Sequence, residues 1–178
     1  MSLKERFGAA PTLTEFTATA DTHVDLWKSI HRRARVPDDL LLRARSLPEA
    51  RHLLVLLEDW CLDAVNTVPV LDRLAEAVPG IDLRVLERDG NPDLMDSHLT
   101  GSSRSIPVVM ALDSAFDELG WWGPRPTSIQ DWFMREGRHA DEHDRVRDMR
   151  RMYARDRGRT TLEEVMALLE HGTRVEVV

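Results

Sequence analysis

The chain has 178 residues, 42% of them hydrophobic and 31% charged, which is enough for one compact domain with decorations and little for two independent cores. Its formal net charge is -7, but acids and bases are interspersed, so neither half reads as a basic nucleic-acid surface or an acidic tail. A single cysteine excludes an intramolecular disulfide framework and any four-cysteine zinc site, and leaves an intermolecular disulfide open.

Met1 to Phe7 carry Lys4, Glu5 and Arg6 with no apolar region behind them, and the longest apolar run, Leu53 to Leu57, is far below bilayer length. The expectation is a soluble, cytoplasmic protein without a membrane partner. From Asp21, the residues Val24, Leu26, Trp27 and Ile30 follow helical spacing, and Pro37 opens a second helix through Leu40, Leu41 and Leu42. The run Leu53-Leu54-Val55-Leu56-Leu57 is apolar without alternation, as in a strand covered on both faces. Val65, Val68, Leu71, Leu74, Ala75 and Val78 then recur at helical spacing until Pro79-Gly80. Ile81, Leu83 and Val85 alternate with Asp82 and Arg84 in a second strand, and Asn91-Pro92 starts a short helix to about Leu99.

Ile106 to Leu112 is expected to form a third strand, returning after Asp113-Ser114 through Phe116, Leu119, Trp121 and Trp122 as a hairpin. Beyond Gly123-Pro124-Arg125-Pro126, the residues Ile129, Trp132, Phe133 and Met134 start another helix, which the charged segment from Arg138 to Arg159 continues as a solvated face. Thr161-Leu162-Glu163-Glu164 resembles a capping box before Val165, Met166, Leu168 and Leu169, closed by Gly172. This order suits an α/β fold with a central mixed sheet flanked by helices. We divide the single domain, 1–178, into an N-terminal helical extension (1–50), a core (51–135) and C-terminal helices (136–178).

Several landmarks in this order resemble the thioredoxin family. Trp60-Cys61-Leu62-Asp63-Ala64 follows a buried strand, as the family's Trp-Cys-Gly-Pro-Cys turn does. Pro69 stands where the family bends its next helix, and Arg104-Ser105-Ile106-Pro107 is similar to the family's Arg-Gly-Ile-Pro. The likeness runs from about Leu53 to Trp122, and it implies a thioredoxin-like fold with a cis peptide bond before Pro107. Within the family the sequence looks most like a bacterial branch with Trp-Cys-x-Asp-Ala and a downstream Gly-Pro-Arg-Pro. It departs from the family pattern in three places. Ala64 replaces the second cysteine, so no neighbouring thiol releases a mixed disulfide and dithiol reductase chemistry is excluded. Val55 stands in place of the family's buried aspartate, and Leu62-Asp63 replaces Gly-Pro.

The resemblance puts Cys61 at a helix N-terminus, where free amides and the dipole lower a thiol pKa from about 8.5 toward roughly 3.5 to 7.5. Asp63, two residues on, opposes that shift if it faces the sulfur. Cys61 and Asp63 are therefore the candidate catalytic pair. The resemblance also makes Trp60, Ser105, Ile106 and Pro107 the substrate-contacting positions. The plainer alternatives are a half-buried apolar Cys61 and a Trp60 that packs on the cis-proline loop. Arg125, held between two prolines, reads as part of a surface loop, as an ion-pair partner of another helix, or as an anion binder. His98, His139, His143 and His171 form no metal-ligand spacing with the cysteine, so no metal is assigned.

Two functions follow. The first is a monothiol thiol-disulfide oxidoreductase or redox carrier, whose partner is a protein or small molecule bearing a thiol or disulfide. It needs no cofactor beyond an external thiol, such as glutathione, as co-substrate. The second is a non-enzymatic thioredoxin-fold binding or scaffold module that uses the cis-proline face. Neither involves nucleic acid, and the sequence leaves the oligomeric state open.

Overall fold

The structure, a computed structural model, describes residues 1–171. A four-stranded mixed sheet in the order β2-β1-β3-β4 lies at its centre. Strand β1 (Arg51–Leu57) is buried along its whole length, because it has a neighbour on either side and helices over both faces. It pairs in parallel with β2 (Ile81–Glu87), Val55 opposite Val85, and antiparallel with β3 (Val108–Leu112), Val55 opposite Val109. Strand β2 alternates buried and exposed positions, as Ile81, Leu83 and Val85 require. The hairpin partner β4 (Glu118–Trp122) closes the sheet and buries Trp122.

Four helices precede β1: α1 (Leu3–Ala9), α2 (Leu13–Thr19), α3 (Val24–Arg33) and α4 (Asp38–Arg45). The helical spacing in the sequence predicts α3 and α4 but not the first two. Ser2 with Glu5 and Thr12 with Glu15 each form a capping box, so the Ser/Thr-x-x-Glu signal was present in the chain. Phe7, Leu13, Phe16, Trp27 and Leu40 from these helices join the central core. Helix α5 (Leu62–Ala77) covers one face of the sheet and holds Pro69 in its interior, while α6 (Pro92–Ser97) begins with proline at its first turn.

Three boundaries differ from expectation. Strand β3 starts at Val108 because Pro107 has no N–H for the ladder; the Ile106–Pro107 peptide is cis. Helix α7 (Thr127–Arg135) ends before a 3-10 turn at Gly137–His139, and a new helix, α8 (Glu142–Asp156), starts where the Asp141 side chain accepts from the Asp144 amide. Helix α9 (Arg159–His171) begins ahead of Thr161, which is buried inside it, so the proposed capping box does not form. Glu164 instead accepts from Trp122 Nε1 at 2.6 Å and from the Thr127 amide at 2.9 Å, tying α9 to β4 and to the start of α7. The expected stop at Gly172 lies outside the described residues. No helix among the described residues is long and apolar enough to cross a membrane.

Candidate functional site

The site forms where β1 runs out. The Cys61 amide donates to the Glu58 carbonyl, turning the chain into α5 with Cys61 as N-cap. The N-terminal helices brace this turn. Trp27 Nε1 donates to the Asp59 carbonyl at 3.0 Å, and the Asp59 carboxylate accepts from the Asp21 and Thr22 amides.

Cys61 is 7% exposed. Its thiol donates to the Ile106 carbonyl at 3.4 Å and accepts from the Ala64 amide at 3.5 Å. The helix terminus does reach the sulfur, but burial and then the Asp63 charge outweigh it, and the thiol is pushed up to about 11. The sequence position alone favoured a lowered value. The difference arises because the thiol is closed over by the cis-proline loop rather than open to water.

Beside it, Trp60 is 48% exposed, with the Arg88 guanidinium 5.2 Å from its ring centre. Arg88 also donates to the Arg104 carbonyl, which precedes Ser105. Ser105 is half-buried, and Ile106 and Pro107 are buried. Trp60, Cys61 and the Ser105-Ile106-Pro107 loop therefore share one edge of the molecule. Gly123 backs the loop closely: a Cβ there would fall 2.0 Å from the Pro107 carbonyl oxygen.

Asp63 belongs to a different layer. It is 7% exposed, its Oδ2 lies 2.7 Å from Arg125 Nη2, and its Oδ1 accepts from the Tyr153 hydroxyl at 2.7 Å. Burial raises the Asp63 carboxyl above its ordinary value, while Arg125 and Tyr153 pull it back. Arg125 is itself fixed, donating to Gln130 Oε1 at 3.0 Å and lying 4.1 Å from the Phe133 ring centre. Its Nε is buried with no acceptor among the described residues. Burial and the neighbouring Asp63 hold Tyr153 well above the ordinary tyrosine value.

Sequence reasoning missed Tyr153, the one tyrosine of the chain, because it stands in a charged stretch read as a solvated face. Its signal was that isolation. Arg125 turns out to pair with α5, one of the three roles open to it.

The comparisons agree with this architecture. A family model described as thioredoxin matches residues 10–155. A crystal structure of a Pseudomonas aeruginosa protein of unknown function is similar, with a TM-score of 0.79 and 21% identity, over 97% of this chain and 99% of that one. An HIV epitope-scaffold gives 0.76 and 21%, over 96% and 98%. At this identity the likeness shows the fold. No curated protein matches the sequence.

Proposed function

Because this chain belongs to the thioredoxin family, we propose that it acts as a single-thiol binding module, in which the edge made by Trp60, Ser105, Ile106 and Pro107 receives an extended segment of a protein partner. The observation that carries this reading is the buried Cys61 thiol, which gives its hydrogen to the Ile106 carbonyl and is pushed up to about 11. At neutral pH such a group is thiolate in only about one molecule in 10,000, against a few per cent for an ordinary cysteine. Exposed Trp60 supplies an aromatic anchor, and Arg88, ion-paired with Asp89, lies over its ring.

A second reading, monothiol exchange, is favoured by the Ala64 amide aimed at the sulfur from the head of α5. Here a partner strand takes over the Ile106 carbonyl, and the thiol loses its proton to water. Its sulfur then attacks one sulfur of a disulfide or glutathione adduct, and the other sulfur departs as a thiolate. An external thiol must break the mixed disulfide, because Ala64 cannot.

The pH profile of Cys61 alkylation, run beside incubation with oxidised glutathione at pH 7, separates the two. The binding reading expects half-maximal reactivity well above pH 9 and no glutathione adduct. A stoichiometric adduct at pH 7, released by added thiol, transfers the assignment to monothiol exchange.

A further inference from the structure

Away from the cysteine edge, helices α3 and α5 bring together three side chains whose donor atoms all lie within 4.8 Å of one another: His31, Asp72 and Glu76. His31 Nε2 stands 2.8 Å from Asp72 Oδ2 and 3.5 Å from Glu76 Oε1. We propose that His31, Asp72 and Glu76 form a site for a divalent transition-metal cation of the zinc class that clamps α3 to α5.

The spacing carries the assignment. Ligand atoms about 2.0–2.2 Å from a tetrahedral zinc ion stand roughly 3.3–3.6 Å apart. The His31–Glu76 distance already falls in this range, and the His31–Asp72 pair, hydrogen-bonded without the ion, must part by about 0.5–0.8 Å. Asp72 and Glu76 lie one helical turn apart, so they share a face of α5. Arg73 fixes the third ligand: its Nη1 donates to Glu76 Oε2 at 2.6 Å, leaving Oε1 toward the imidazole, and its Nε donates to the His31 carbonyl. An outer hydrogen bond of this kind sets the orientation of a ligating carboxylate. One guanidinium against two carboxylates still leaves negative charge for the cation to neutralise. The donors are one imidazole and two carboxylates without a thiolate, a set that suits zinc, manganese or iron. Asp72 is nearly buried while Glu76 is partly open to solvent, so the ion enters from the Glu76 side and keeps a fourth position for water.

The test uses the full chain, stripped with a chelator and titrated calorimetrically with Zn2+ alone, with Co2+ as a spectroscopic probe. The expected result is one ion per chain, a rise in Tm, and cobalt d–d bands without the thiolate charge-transfer absorption that Cys61 would produce. His31→Gln and Glu76→Gln should each lower the affinity about tenfold or more. The partly exposed Glu76 keeps the test valid if the His31 variant fails to fold. His143→Ala, in the exposed Asp141–His143–Asp144 group, should leave binding unchanged. Absence of binding at about 1 mM zinc overturns the proposal. So does binding that survives Glu76→Gln, or binding that is lost in His143→Ala instead.

Discussion

Arg125 Nη2 stands 2.7 Å from Asp63 Oδ2, so the segment that follows the last strand is bound to the first turn of the helix that carries Cys61. Both side chains are largely buried, and a buried charge left without its partner is costly. Arg125→Met should therefore destabilise the protein by about 3–5 kcal/mol. Adding Asp63→Asn should recover part of that loss, since the second change removes the orphaned charge. Urea denaturation of the two single variants and the double variant measures this coupling.

Tyr153 completes the same network from α8. Tyr153→Phe keeps the ring in its place and removes the hydrogen bond to the Asp63 carboxylate, for an expected loss of about 1.5–3 kcal/mol. The unfolding midpoint should fall with little change in the slope. An unchanged midpoint would show that α8 contributes nothing to the cysteine turn through this bond.

The network also explains how far the sequence could be read. The β1 run, the α5 periodicity and the Arg104-to-Pro107 segment are local patterns, and each led to its element and to the family. Asp63, Arg125 and Tyr153 lie far apart in the chain and meet only after α7, the 3-10 turn and α8 have folded back over α5. No spacing rule connects them. Glu164 was legible as a helix-start residue, yet its carboxylate serves β4 and α7, because Asp156 already meets the Thr160 amide at the head of α9.

The raised Cys61 thiol sets a pH dependence. Its pKa is about 11 in the folded protein and near 8.5 in an unfolded chain, so the fold holds the proton more tightly. That stabilisation is complete below about pH 8.5 and is lost as pH rises through 11. Stability should fall by roughly 3 kcal/mol over this window on account of Cys61. Tyr153, also raised, acts in the same direction. Cys61→Ser, whose hydroxyl does not titrate there, should flatten only the cysteine share of the curve. Asp63→Asn should bring the thiol pKa down, because it removes the charge that raises it and leaves Arg125, which lowers it. Thiolate absorbance followed against pH in each variant reads both effects.

Gly123 tests whether the cis-proline edge is held from behind. Its φ of +141° lies in a region that residues with a side chain rarely adopt, and a Cβ would press 2.0 Å from the Pro107 carbonyl oxygen, a backbone atom that no rotamer change can move aside. Gly123→Ala must therefore shift the Ser105-Ile106-Pro107 loop or the Gly123–Arg125 segment, at a cost of about 1–3 kcal/mol or more. Either shift disturbs Cys61 as well, since Ile106 accepts its hydrogen bond and Arg125 compensates the nearby Asp63. The variant should lose stability and at the same time alkylate faster at pH 8 than the parent protein. Lost stability with an unchanged alkylation rate would mean that the thiol is shielded by its own turn and not by the loop that Gly123 supports.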